Sequence, residues 1–157
     1  EMTEKILVIS DTHGRRDSLQ KCIDINYPFD MIIHCGDGVK DLRGADIPSG
    51  AIVLAVAGNT DIYSSVDEEL FLTEIIEGKN VLITHGHKYN VKSGLHTILQ
   101  AAGEFRADVV LFGHTHQSHL SGDGPVLFNP GDFSTGNYGI ISIQDKTRWM
   151  FEHRRLN

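Results

Sequence analysis

Five short motifs constrain the fold of this chain most strongly, because each of them directly follows an apolar run. Short apolar runs without polar alternation predict buried strands. Each motif carries a carboxylate, an amide or an imidazole, which are side chains that bind metal ions. The motifs are Asp11-Thr12-His13, Gly36-Asp37, Gly58-Asn59-Thr60-Asp61, Thr84-His85-Gly86-His87 and Gly113-His114-Thr115-His116. The pattern predicts a metal site built from the ends of several strands.

The order of the predicted strands and helices indicates the fold class. In the first half, buried strands at residues 5–10, 30–35 and 51–57 alternate with helical or polar segments, whereas only strands are predicted from His119 onward. Two mixed β-sheets packed face to face, with helices outside, accommodate both halves. We therefore predict a single domain over residues 1–157 with an α/β (α+β) fold, a four-layer sandwich of two mixed β-sheets flanked by helices.

Local patterns add several structural expectations. Asp17 is expected to cap the first helix, with Gln20 in capping-box spacing. Residues 67–76 and 81–84 are expected to pair as a hairpin. An amphipathic helix is expected over residues 93–105, burying Leu95, Ile98, Leu99, Ala102 and Phe105. The aromatic side chains expected in the core are Phe71, Phe112, Phe128 and Trp149.

Composition and charge exclude several classes of protein. The formal net charge of -7 over 157 residues argues against binding nucleic acid along a broad basic surface. A phosphate substrate remains compatible with this charge, because bound cations reverse the local sign. No stretch approaches the ~20 apolar residues of a membrane helix, and no signal-peptide pattern is visible. We expect a cytoplasmic protein with Cys22 and Cys35 as buried thiols; a homo-oligomer is only a default expectation.

Seven side chains in the motifs form the candidate metal-ligand set. They are Asp11, His13, Asp37, Asn59, His85, His114 and His116. Two carboxylates, one amide oxygen and four imidazoles exceed what one ion takes from a protein, whereas two ions that share a carboxylate would use all of them. Oxygen and nitrogen donors without a thiolate favour Mn, Fe, Ni or Zn over Ca or Cu(I).

The order of these motifs resembles that of the calcineurin-like metallophosphoesterase family, and the short chain resembles its compact bacterial and archaeal phosphodiesterase branch. The resemblance covers nearly the whole chain, including the turn at Asn129-Pro130-Gly131. It implies a metallophosphoesterase-like fold and a two-metal-dependent phosphoesterase that acts on a small phosphate ester. A phosphodiesterase with a metal-bridging hydroxide as nucleophile is the leading interpretation. A phosphomonoesterase is one alternative, and a non-catalytic protein-interaction scaffold on the same fold is an alternative of another class.

Carried over by position, the resemblance implies two metal sites that share Asp37. One divalent ion would be bound by Asp11, His13, Asp37 and His116, and the other by Asp37, Asn59, His85 and His114. Manganese is the expected metal, with iron, nickel and zinc as alternatives. Asn59 would bind its ion through the amide oxygen and present its amide nitrogen to the phosphate.

Two residues depart from the family pattern. Thr60 stands where many members carry a histidine, and a hydroxyl with a high pKa is a poor general acid. We therefore expect that His87 supplies the leaving-group proton or that good leaving groups are preferred, and that Asp61 orients its loop by hydrogen bonds. Asp132 stands where close relatives often have serine, and the sequence leaves open whether it repels phosphate or faces solvent.

His34 is expected to be packed in the core or to support the site by hydrogen bonding.

Overall fold

A computed structural model describes residues 2–61 and 68–157, and these residues form two five-stranded sheets. The first sheet consists of β1 (Lys5–Ile9), β2 (Met31–His34), β3 (Ile52–Ala55), β9 (Asn137–Gln144) and β10 (Arg148–Arg155), in the order β10-β9-β1-β2-β3. Strands β1, β2 and β3 are parallel, whereas β9 is antiparallel to both of its neighbours. This sheet is therefore mixed.

The second sheet is also mixed. It consists of β4 (Phe71–Ile76), β5 (Lys79–Thr84), β6 (Val109–Leu111), β7 (His119–Ser121) and β8 (Val126–Asn129), in the order β4-β5-β6-β8-β7. Strands β5, β6 and β8 are parallel, and the edge strands β4 and β7 are antiparallel to their neighbours. The β4–β5 pair is the hairpin expected from the sequence, although residue 67, its predicted start, lies outside the described residues.

Helices cover the outer face of each sheet. The α-helices are α1 (Arg16–Asn26), α2 (Val39–Arg43) and α3 (His96–Glu104), and short 3-10 turns occupy His87–Tyr89, Val91–Ser93 and Phe133–Thr135. Helices α1 and α2 share a buried cluster with the first sheet, and α3 shares one with the second sheet. Among the described residues, none of these helices has the length and apolar character needed to cross a membrane.

Three apolar layers hold the elements together. Between the sheets, Ile33 of β2 belongs to the same buried cluster as Ile83 of β5. On the outer face of the first sheet, Leu19 of α1 belongs to the cluster of Ile32, and Ile98 of α3 shares a third cluster with the second sheet. Because Ile32 and Ile33 point to opposite faces of β2, the strand is buried on both sides and its sequence does not alternate. The predicted four-layer sandwich is confirmed.

Some of the local expectations are wrong. Helix α1 begins at Arg16 with Arg15 at its N-cap and no side-chain cap, so Asp17 lies inside the first turn, where its charge still favours the helix dipole. Leu99 is 43% exposed, because the buried stripe of α3 is narrower than the apolar pattern suggests. Phe71 is 42% exposed, because β4 is an edge strand; its ring packs 5.0 Å from that of Phe105.

Candidate metal centre

The carboxyl ends of the parallel strands bring the five motifs together. In the first sheet, the N–H of Asp11 after β1 donates to the carbonyl of Gly36 after β2, at 2.9 Å. In the second sheet, the N–H of Gly113 after β6 donates to the carbonyl of His85 after β5, at 3.0 Å. The sheets meet where Asp11 Oδ1 lies 3.9 Å from His85 Nε2. The site therefore spans both sheets at one end of the sandwich.

One donor group, called here the first group, consists of Asp11, His13 and His116. One ligand atom from each residue lies within 4.8 Å of the others. Asp11 Oδ1 lies 3.7 Å from His13 Nε2 and 3.4 Å from His116 Nε2. Three donor atoms from two strand ends therefore converge on one small volume.

The second group consists of Asp37, His85 and His114, which meet the same distance limit. His85 Nε2 lies 3.2 Å from Asp37 Oδ2 and 3.1 Å from His114 Nδ1. Donor atoms at this spacing suit one ion with ligand distances of about 2.0–2.2 Å. Asp37 also approaches the first group, because its Oδ2 lies 4.0 Å from His13 Nε2. Asp37 is thus the carboxylate between the two groups.

Each of the two carboxylates has one anchored oxygen and one oxygen directed into the site. Asp11 Oδ2 accepts the Ser10 hydroxyl at 2.7 Å, and Asp37 Oδ1 accepts the N–H of Thr60 at 2.9 Å. Among the residues that the structure describes, Asp11 Oδ1 and Asn59 Oδ1 are buried without a hydrogen-bond partner. A buried acceptor without a partner costs about 1–3 kcal/mol, more when it is charged. A divalent cation would remove this cost, so the residues fit a metal centre.

The pKa values of the candidate ligands are shifted by burial and by the charges and hydrogen bonds around them. Burial raises the pKa of the Asp11 carboxyl above its ordinary value. Burial acts in the same direction on Asp37, but hydrogen bonds from His85 and Thr60 and the charge of His85 outweigh it and hold the pKa of Asp37 well below its usual range. Burial lowers the pKa of His85, but Asp37 and Asp11 outweigh it, and the net result is a raised pKa. Nearby donors and positive charge therefore stabilise the Asp37 carboxylate, whereas burial still disfavours the ionised form of Asp11.

The backbone of the site is strained at the candidate ligands. Five of them have positive φ: Asp11 (59°), His13 (42°), Asp37 (62°), His114 (71°) and His116 (62°). Such values are uncommon outside glycine, and strained residues cluster at functional sites. Glycine is required nearby for close approach, because a Cβ on Gly36 would lie 2.8 Å from both the Gly58 nitrogen and His85 Nδ1.

Comparison with known proteins now decides the family. Residues 5–145 match the calcineurin-like phosphoesterase superfamily domain. The chain belongs to this superfamily. The family resemblance of the motifs is confirmed, and with it the class of a metal-dependent phosphoric ester hydrolase.

Two relatives and one solved structure show how similar the chain is to other phosphoesterases. The chain is similar to the probable metallophosphoesterase YsnB of Bacillus subtilis, with 32% identity over 89% of this chain and 85% of the relative. It is also similar to the phosphodiesterase MJ0936 of Methanocaldococcus jannaschii, with 30% identity over 90% of this chain and 95% of the relative. A crystal structure of a predicted phosphoesterase from Streptococcus pneumoniae superimposes with a TM-score of 0.78 at 22% identity, covering 99% of this chain and 91% of that one. This last similarity shows the shared fold.

Asp61 holds the third motif of the phosphoesterase against the second. Its Oδ2 accepts the N–H groups of Asp37 at 2.7 Å and Gly58 at 2.9 Å, and its Oδ1 accepts those of Gly38 at 2.9 Å and Val39 at 3.2 Å. One buried carboxylate therefore fixes the turns that carry Asp37 and Asn59. This is the loop-orienting role expected from the sequence.

His34 supports the first motif by a hydrogen bond to Thr12. Its Nδ1 accepts the N–H of Gly36 at 3.0 Å, so Nε2 carries the proton and donates to Thr12 Oγ1 at 3.1 Å. The Thr12 hydroxyl donates in turn to Asp41 Oδ2 at 2.7 Å. Burial lowers the pKa of His34 to about 4, so the ring is neutral at pH 7. Of the two expected roles, packing and hydrogen-bonded support, His34 has both.

His87 lies beside the second group. Its ring centroid is 5.6 Å from that of His85 and 6.1 Å from that of His114. Both of its ring nitrogens are buried and have no hydrogen-bond partner within residues 2–61 and 68–157, and burial lowers its pKa. The ring is therefore close to the candidate ligands, with two polar atoms that other protein groups leave unused.

Asp132 does not face solvent, which is one of the two roles that the sequence left open. It is 8% exposed, and its Oδ2 lies 3.2 Å from His116 Nδ1. It therefore faces a candidate ligand rather than bulk solvent. Sequence reasoning missed this contact, and it missed Asp41, whose carboxylate accepts the N–H of Gly14 at 2.8 Å behind the first motif. An aspartate in a short polar segment gives no periodic pattern that would have identified either residue.

Proposed function

We propose that this calcineurin-like phosphoesterase is a phosphodiesterase that uses two divalent metal ions, one at each donor group. The observation that carries the proposal is the pair of three-residue groups, with Asp37 of the second group also lying 4.0 Å from His13 of the first. The unpartnered buried oxygens Asp11 Oδ1 and Asn59 Oδ1 lend it support. Manganese suits this mixture of oxygen and nitrogen donors, and iron, nickel and zinc are the alternatives.

The chain's own residues would prepare the site for substrate. Divalent ions supply Lewis acidity, which neutralises phosphoryl oxygens and lowers the pKa of a bound water. Asp37 is oriented in advance, because the N–H of Thr60 holds its Oδ1 and leaves Oδ2 facing both groups. Asn59 would use Oδ1 as a metal ligand and leave its amide N–H group for a phosphoryl oxygen.

The departing oxygen needs a proton donor when it is a poor leaving group. The Thr60 hydroxyl is unsuited to this role, because its pKa is far too high. We propose that His87 contacts the substrate through its unpartnered ring nitrogens and carries the proton that the leaving oxygen takes. The position of the ring beside His85 and His114 supports this role.

A parallel assay separates diester from monoester hydrolysis. Metal-free protein is supplied with Mn²⁺ and given either bis(p-nitrophenyl) phosphate or p-nitrophenyl phosphate at matched concentrations. We expect the diester to be hydrolysed with the higher kcat/KM, and we expect excess chelator to abolish the reaction. Faster hydrolysis of the monoester would favour the phosphomonoesterase alternative, which agrees equally well with the donor groups.

A matched pair of variants ties the activity to the site. Asp37→Asn removes the carboxylate between the two groups and should lower both metal content and diesterase activity strongly. Asp123→Asn makes the same chemical change at an exposed turn residue and should have no effect. Folded wild-type protein that binds no divalent metal would instead favour the scaffold alternative, although every candidate ligand position is filled in this chain.

A further inference from the structure

The contact between Asp132 and His116 joins a residue outside the five motifs to the first group. Asp132 Oδ2 lies 3.2 Å from His116 Nδ1, while His116 Nε2 lies 3.4 Å from Asp11 Oδ1. One ring nitrogen thus faces Asp132 and the other faces the carboxylate of a candidate ligand. The imidazole bridges the two carboxylates.

We propose that Asp132 is a positioning residue for the metal ion of the first group and that it acts through His116. This inference rests on the proposed function. An ionised carboxylate can only accept hydrogen bonds, so Asp132 places the imidazole proton on Nδ1. Nε2 then keeps its lone pair for the metal ion, and the carboxylate increases the basicity of the ligand.

His116 has particular need of such a partner, because packing does not fix its ring. Its side chain is 44% exposed, whereas the side chain of His85 is fully buried. The Nδ1 of His85 also lies 2.9 Å from the carbonyl oxygen of Cys35, inside the core. An exposed ring loses more rotational freedom on binding a metal, and a contact with Asp132 formed beforehand reduces that cost.

Asp132 is itself held in a fixed position. Its Oδ1 accepts the N–H of Ser134 at 2.9 Å and the hydroxyl of Ser134 at 2.6 Å. The N–H of Phe133 donates to the Ser10 carbonyl at 3.0 Å, and that of Ser134 lies 3.2 Å from the Asp11 carbonyl. The turn that carries Asp132 is therefore fastened to the end of β1. Its carboxylate has a defined position relative to Asp11.

The test measures metal affinity in an Asp132 variant and in a control with the same chemical change elsewhere. Asp132→Asn keeps an oxygen for Ser134 and replaces the acceptor that faces His116 with an amide. Calorimetric titration of chelator-treated protein with Mn²⁺ should show about a 10–100-fold weaker affinity for one of the two ions. Asp123→Asn makes the same chemical change at an exposed residue and should leave both affinities within a few-fold of wild type.

A double-mutant cycle separates action through His116 from a general effect on the turn. In a His116→Ala background, Asp132→Asn should cause no further loss of affinity. Wild-type affinity in Asp132→Asn, or an equal loss in both backgrounds, would overturn the inference.

A measurement on the wild type keeps the inference testable even if Asp132→Asn does not fold. Nitrogen NMR of the zinc-loaded protein should show His116 protonated at Nδ1, and an unprotonated Nδ1 would overturn the inference. A wild-type chain that binds no metal would instead overturn the proposed function, so the two failures are distinguishable.

Discussion

Gly58 lies against the carboxylate between the two donor groups, and its lack of a side chain allows that approach. A Cβ at this position would lie 2.1 Å from Asp37 Oδ1 and 2.6 Å from the Asp37 backbone nitrogen. Because the backbone cannot give way, Asp37 would have to move. We expect Gly58→Ala to lower kcat/KM for an aryl phosphodiester by at least about 100-fold and to reduce the bound metal.

The control for this variant is the same substitution where there is room. A Cβ on Gly103 would meet no atom of the described residues within 4 Å, so Gly103→Ala should keep full activity and metal content. Retention of both properties in Gly58→Ala would show that Asp37 is not held as tightly as the geometry indicates.

His87 should matter most when the leaving group is poor. An aryl oxide departs without a proton, whereas an alkoxide needs one, and positioned acids contribute about 10²–10⁴-fold. We expect His87→Ala to slow hydrolysis of an alkyl phosphodiester by about 100-fold and of bis(p-nitrophenyl) phosphate by less than about 10-fold. His96→Ala, an exposed histidine at the start of α3, is the matched control. Equal losses on both substrates would argue against proton donation by His87.

Sequence reasoning at the residue scale found the ligand-type side chains but not the residues that hold them. Asp11 and Asp37 are visible because each follows an apolar strand. The role of Asp41 could not be predicted in this way, because its contact with Thr12 joins residues that are 29 positions apart in the sequence. The role of Asp132 likewise depends on the fold, which turns its carboxylate toward His116. Such long-range contacts leave no periodic trace in a single sequence.

At the scale of elements, α3 offers a direct test of helix energetics. Gly103 is exposed in this helix and has open space around its Cα. Alanine restricts the unfolded chain more than glycine does and has the higher helix propensity. We expect Gly103→Ala to raise the free energy of unfolding by about 0.5–1 kcal/mol, measured by urea denaturation. A loss of stability would mean that the backbone there is less regular than the helix described.

The sequence predicted which strands and helices form, but it did not predict where they end or which of their apolar side chains are exposed. Buried strands such as β1 and β6 have continuous apolar sequences, because both of their faces are covered. The N-cap of α1 was predicted wrongly as Asp17, because Arg15 occupies that position without a side-chain hydrogen bond. Phe71 was expected in the core, but its position on an edge strand depends on sheet order, which local patterns do not encode.

At the scale of the whole molecule, His34 makes stability depend on pH. Its folded pKa of about 4 lies below the ordinary value of 6.5, so the unfolded chain takes up the proton first as the pH falls. The contribution of His34 to stability is therefore present above about pH 6.5 and is lost between pH 6.5 and 4, by about 3 kcal/mol at most.

The His34→Gln variant tests this linkage. A glutamine amide can accept from Gly36 and donate to Thr12 but does not titrate. Urea denaturation in chelator, which excludes effects of metal loss, should show a shallower decline in stability between pH 6.5 and 4.5 for His34→Gln than for wild type. Parallel declines would show that other groups cause the acid sensitivity.

The overall architecture followed from the sequence because strands alternate with helices in one half and follow one another in the other. The convergence of the motifs was harder to predict from the sequence, because it depends on how the two sheets meet where Asp11 approaches His85. The proposed two-metal function requires that two ions bind at this single face. Anomalous diffraction from crystals soaked in Mn²⁺ tests that claim directly. We expect two peaks, one bound by Asp11, His13 and His116 and one by Asn59, His85 and His114, with Asp37 in contact with both. A single peak, or peaks away from Asp37, would contradict it.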